Sequence, residues 1–159
     1  MKPALDAVQG AGLKKIILDL RDNPGGFLDE AVGVARLLIP KGPILQIKEK
    51  DRIVVESSYL ETAPFQIICL VNENSASCSE VLASAIQDSG GTIVGTRTYG
   101  KGVIQVLLPL TNGGAVKITE AEYLSRAGHT INNIGITPNW SIADPAAQLA
   151  KAKELAAQP

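Results

Sequence analysis

Ile67-Ile68-Cys69-Leu70-Val71-Asn72-Glu73-Asn74-Ser75-Ala76-Ser77-Cys78-Ser79-Glu80 is the stretch on which the fold turns. Its first five residues form a short, fully apolar run, the pattern of a buried strand. Polar residues take over at Asn72-Glu73-Asn74. Beyond Ser79, Val81, Leu82, Ala85 and Ile86 recur at helical spacing, with Ala83 and Ser84 as small fillers. A buried strand therefore runs through three serines into a helix N-terminus. Backbone N–H groups are unpaired there and the helix dipole favours negative charge. A serine at such a junction can attack a carbonyl while the next N–H, that of Cys78, faces the developing oxyanion. The plainer use of serine before a helix is as an N-cap, and Glu80 stands where a capping box with Ser77 would need it. Taken alone the segment favours capping, because short motifs match by chance.

A lysine shifts that balance. Residues 92–95 read as a second short strand and residues 103–108 as a third, with Lys101 between them, flanked by Gly100 and Gly102. The glycines let backbone come close and leave room for a reacting group. A lysine acts as a base at neutral pH only when desolvation pulls its pKa down. Tyr99, Val103 and Ile104 are apolar enough to supply that. Gln105 cannot titrate, but its amide oxygen could accept from the ammonium and orient it. The plain alternatives are an exposed turn lysine and a strand-surface amide. Serine with lysine makes a nucleophile without histidine.

Asn74-Ser75-Ala76-Ser77-Cys78-Ser79-Glu80 together with Thr98-Tyr99-Gly100-Lys101-Gly102-Val103-Ile104-Gln105 resembles the C-terminal processing peptidases, the tail-specific proteases of peptidase family S41. Leu18-Asp19-Leu20-Arg21-Asp22-Asn23-Pro24-Gly25-Gly26 resembles the family's strand and glycine turn. Lys117-Ile118-Thr119 with Tyr123 and Gly128, and then Gly135-Ile136-Thr137-Pro138-Asn139, resemble its later motifs. The resemblance runs from about Leu13 to the last helix. It implies Ser77 as nucleophile, Lys101 as general base and Gln105 as orienting amide. It implies an oxyanion hole from the Cys78 N–H and one N–H of the Gly25-Gly26 turn, with Gly26 preferred. Cys78 stands where the family usually has alanine, a change expected to matter little.

The resemblance also implies a layered α/β core of the crotonase and Clp-protease type with β-hairpins, protein or peptide substrates, and a cell-envelope, periplasmic or exported location. A PDZ domain and a further strand are expected ahead of such a core. Residues 1–159 therefore read as one peptidase core, truncated at its N-terminus. A non-catalytic binding module on the same fold is the alternative. An acyl-CoA enzyme of crotonase type is disfavoured, because no basic nucleotide patch is visible.

The rest of the chain fits one globular domain: 159 residues, 45% hydrophobic and 19% charged. A net charge of -1 gives no reason to expect nucleic acid or an anionic membrane. No apolar run reaches membrane-spanning length. Cys69 and Cys78 read as buried thiols rather than a disulfide. No cluster has metal-ligand spacing and no cofactor is expected.

Residues 1–12 suggest a helix. Residues 13–20 suggest a parallel strand at the centre of its sheet, because they are too continuously apolar for a wet edge. Residues 28–39 suggest a helix with Ala31, Val34, Ala35 and Leu38 inward. Residues 44–50 and 52–57 alternate as a hairpin, and Gly113-Gly114 turns another. Asp19, Arg21 and Asp22 read as loop-fixing ion pairs. His129, the only histidine, reads as a loop residue without a partner. Pro145 starts a last helix anchored by Leu149 and Leu155.

Overall fold

The computed structural model describes residues 1–158. In chain order the elements are α1 (Lys2–Gly10), β1 (Lys15–Asp19), α2 (Leu28–Leu38), β2 (Gly42–Lys48), β3 (Ile53–Ser58) and β4 (Gln66–Val71). They continue with α3 (Cys78–Asp88), β5 (Thr92–Gly95), β6 (Val103–Pro109), β7 (Ala115–Leu124), β8 (Trp140–Ser141) and α4 (Pro145–Ala157). One sheet is parallel, in the order β1-β4-β5-β8; the other is antiparallel, in the order β3-β2-β7-β6.

β4 shows why its sequence is apolar without alternation. Ile67, Cys69 and Val71 face α2 and α3 in the larger core, while Ile68 and Leu70 face α4, with Ala152, Leu149 and Leu155. Successive strand side chains point to opposite faces, so a strand covered on both sides must be apolar at every position. Cys69 is fully buried, and burial pushes its thiol far above the ordinary range. Both cysteines are free.

β1 is parallel, as expected, but it lies at the edge of its sheet, pairing only with β4. Its apolar run has another cause than central placement: Ile16 and Leu18 pack toward the larger core and Ile17 toward α4. Helices cover both faces, and along the sheet β4 is its one strand neighbour among the described residues. In α2 the buried residues are Val32, Ala35 and Leu38, with Ala31 and Val34 only half-buried. The β2–β3 and β6–β7 hairpins form where expected, the second turning at Gly113-Gly114.

The loop after β1 is held as the charge pattern suggests, in part. Arg21 pairs with Asp19 at 2.6 Å and reaches the Pro145 carbonyl at 3.0 Å, tying the loop to α4. That guanidinium holds the Asp19 carboxyl below the usual carboxylate range. Asp22 has no cation within ion-pair distance among the described residues; its carboxylate accepts from the amides of Asn74 at 2.8 Å and Asn72 at 2.9 Å, which lower its pKa.

Candidate active site

Both glycine turn and serine triplet leave the carboxyl ends of neighbouring parallel strands, where open α/β sheets keep their sites. Ser75 is buried and spent on structure: its hydroxyl donates to the Leu20 carbonyl at 2.7 Å and accepts the Asn72 N–H at 2.9 Å. It pins the end of β1 to the end of β4. Two residues on, Ser77 adopts φ 58 and ψ -122, a backbone region that side chains seldom occupy. Such a conformation costs on the order of 1–3 kcal/mol and persists only where its surroundings impose it. Ser77 is half-buried, so its hydroxyl is within reach of solvent.

What imposes the conformation is Glu80. Its carboxylate is completely buried. One oxygen accepts the Ser77 N–H at 2.9 Å and the Lys101 N–H at 2.8 Å. The other accepts the Gly100 N–H at 2.7 Å and the Thr98 hydroxyl at 2.5 Å. The capping arm expected between Glu80 and the Ser77 amide is present, and it is one part of a larger clamp. Because Ser77 and Lys101 donate to the same oxygen, their backbone nitrogens are no farther apart than those two bonds laid end to end. Thr98 in turn accepts the Ile136 N–H, and Tyr99 donates its N–H to the Ser75 carbonyl at 3.0 Å. Four donors converge on two oxygens, a demand that a carboxylate meets and an amide does not.

The two glycines of the first turn do different things. Gly25 has φ 96, and a Cβ there would stand 2.9 Å from the Cys78 nitrogen and 3.0 Å from Ser77 Cβ. Its bare Cα keeps the space in front of the Cys78 N–H open. Its own N–H is engaged by the Asn23 side chain at 2.9 Å. The N–H groups of Gly26 and Cys78 have no partner among the described residues, and Gly26 has open space around it. The Cys78 thiol donates to the Gly26 carbonyl at 3.3 Å, so this side chain links turn and elbow instead of merely filling alanine's place.

Lys101 departs from the expected enclosure. Its side chain is exposed, Tyr99 beside it is 71% exposed, and Val103 and Ile104 are only half-buried. Nor do its glycines leave room for a reactant: a Cβ on Gly102 would fall 2.3 Å from the Asn132 nitrogen, so the close approach serves the 131–135 loop. The Lys101 ammonium meets no carboxylate within ion-pair distance among the described residues. Gln105, also exposed, donates its amide N–H to Thr119 Oγ1 at 3.4 Å, and its carbonyl oxygen has no partner among the described residues.

His129 is remote. It sits in the turn built on Ser125, whose hydroxyl donates to Asp88 at 2.8 Å, at the far end of α3 from Ser77. Sequence reasoning passed over Thr98 and gave Glu80 only a capping role; the Glu three residues past Ser77 was the available signal. It also missed an apolar cavity of about 230 Å³ beside the elbow, between Leu18, Val34, Leu82 and Gly26.

The sequence profile of peptidase family S41 matches residues 1–142. A probable CtpA-like serine protease of Staphylococcus epidermidis is 39% identical over 151 residues, covering 91% of this chain and 31% of its own length. One from Staphylococcus aureus is 41% identical, covering 91% and 30%. The solved photosystem II D1 C-terminal processing protease superposes with a TM-score of 0.82 at 36% identity, over 89% of this chain and 38% of that one. The chain thus spans about three-tenths of the length of the curated relatives it matches.

Proposed function

This chain belongs to peptidase family S41, and on that premise we propose that it is the catalytic core of a serine endopeptidase that cleaves proteins near their C-termini, with Ser77 as nucleophile and Lys101 as base. The observation that carries the reading is the single Glu80 oxygen shared by the Ser77 and Lys101 amides. A nucleophile and its base need a common frame, and here one buried group supplies it.

In this reading Ser77 Oγ attacks the scissile carbonyl and gives its proton to the neutral Lys101 amine. The oxyanion is received by the N–H groups of Cys78 and Gly26, in the space that Gly25 leaves open. Lys101 then protonates the departing amine. Gln105, held through its N–H by Thr119, offers its oxygen to orient the ammonium. The exposed Lys101 is covered when substrate fills the cleft, which supplies the desolvation a lysine base requires. The family resemblance further supports a PDZ domain elsewhere in the whole protein and a cell-envelope or exported location. No helix among the described residues is long and apolar enough to cross a membrane.

The test is mass spectrometry of products after the whole protein is incubated with an unfolded protein substrate. C-terminal fragments that appear with the unaltered protein and vanish with Ser77→Ala and with Lys101→Ala support the reading. Cleavage that survives either change contradicts it.

A further inference from the structure

Among the described residues, most polar side chains with less than a tenth of their surface exposed are paired inside the protein. Ser58, Ser75, Ser84, Ser125, Thr98, Glu80 and Gln148 all make hydrogen bonds. Ser79 is 5% exposed, and its hydroxyl has no partner among the described residues. It stands in the wall of the cavity beside the elbow, whose other walls include Leu18, Leu20, Val34 and Leu82. Asn23 and Glu30, the remaining polar side chains there apart from the Cys78 thiol, are exposed residues at its mouth.

The Ser79 hydroxyl is not sealed from solvent, since the buried side-chain oxygen without a partner among the described residues is that of Ser89, so it is available to pair with a ligand group entering the cavity whose wall Ser79 helps to form. The cavity opens beside Gly26 and Cys78, the two residues whose N–H groups face the reacting carbonyl in the function proposed above. The side chain it receives is then that of the residue whose carbonyl is attacked; this step rests on that reading. We propose that Ser79 is a specificity-determining residue, its hydroxyl favouring small substrate side chains that carry a hydroxyl or thiol: threonine over its isostere valine, and serine over alanine. Apolar pockets discriminate poorly between such isosteres, whereas a placed hydrogen-bonding group does so.

The experiment compares two peptidyl diphenyl phosphonates that differ only in a valine or threonine side chain at the phosphonate. Ser77 Oγ attacks phosphorus, phenoxide leaves, and the hydroxyl proton passes through Lys101 to solvent. Rates of adduct formation on Ser77 are followed by mass spectrometry in the whole protein, in Ser79→Ala and in Ser79→Thr. The threonine-to-valine rate ratio should fall roughly 3- to 10-fold in Ser79→Ala, the worth of one hydrogen bond. It should be largely kept in Ser79→Thr, which retains the hydroxyl. General damage to the elbow slows both probes and leaves the ratio alone. A ratio unchanged in Ser79→Ala, with Ser77 still labelled, overturns the role of Ser79 and leaves the nucleophile standing. Absence of any adduct on Ser77 in the unaltered protein overturns the nucleophile and the pocket assignment with it.

Discussion

The elbow wall around Ser77 and the wall around Lys101, joined at Glu80, are built to different tolerances. On the elbow wall nearly every polar group is committed: Ser75 to Leu20 and Asn72, Gly25 to Asn23, Glu80 to four donors. What remains without a protein partner there, among the described residues, is the N–H of Gly26, the N–H of Cys78 and the Ser79 hydroxyl, while the Ser77 side chain stands half-buried over the first turn of α3. On the opposite wall, order stops at the backbone. The Lys101 amide is clamped, yet its side chain and Gln105 are exposed, and the hairpin beyond carries Leu107 at 68% exposure. In the function proposed above, the fold thus pre-organises nucleophile and oxyanion donors, while the base is delivered on a fixed backbone with a free arm. Damage to the committed groups of the first wall should cost stability and activity together, whereas loss of the Ser77 hydroxyl should cost activity alone. Damage to the arm should cost activity alone.

The largest effects test the arm against the nucleophile. Ser77→Ala and Lys101→Ala should each lower kcat by about 10⁴-fold or more, and the double variant little further, because the two act as a unit. Neither should move the unfolding midpoint appreciably. Lys101→Arg should not rescue, since guanidinium keeps its proton. Additive losses in steady-state kinetics would break the pairing.

Glu80→Gln strikes the joint between the walls. An amide cannot accept from four converging donors, so the variant should lose roughly 2–4 kcal/mol in denaturant unfolding and about 100-fold in activity. Loss of stability with full activity would show that the clamp is merely structural.

Ser77→Gly and Ser77→Ala, both inactive, separate strain from chemistry. Glycine accepts φ 58 and ψ -122 without penalty and alanine does not. The glycine variant should therefore be more stable than the alanine variant by about 1 kcal/mol in equilibrium unfolding.

The smallest effect concerns Tyr123, buried against the Cys78 thiol on the side of β7. Burial, with that thiol beside it, pushes its hydroxyl up from 10.0 to about 12. The unfolded chain ionises first as pH rises, so stability from this group is intact below pH 10 and drains away toward 12. Tyr123→Phe should show a shallower alkaline decline in unfolding free energy, with activity at neutral pH changed less than twofold.

Much of this was legible in the residues. The unbroken run of β4 declared a strand with both faces covered, and residues 78–88 declared a helix by spacing. Serines before a helix and a lysine between glycines were suggestive, but alone they favoured capping and a turn, and it was the family resemblance that singled out Ser77 and Lys101. Sheet position was not legible in β1, since apolar continuity reports covered faces and says nothing of neighbours along the sheet. The division of labour between Gly25 and Gly26 depends on which N–H Asn23 takes, a tertiary choice without a sequence signature. Glu80 was visible as a cap, but its partners Thr98, Gly100 and Lys101 lie about twenty residues away and only the fold brings them in.

The most direct test of the central claim, that Ser77 and Lys101 form one reactive unit across the Glu80 clamp, is the rate and site of labelling by a small fluorophosphonate. The account expects a single adduct, mapped to Ser77 by peptide mass spectrometry, its formation slowed at least 100-fold in Lys101→Ala. An adduct on Ser75 or Ser79, or a Ser77 labelling rate indifferent to the loss of Lys101, would contradict it.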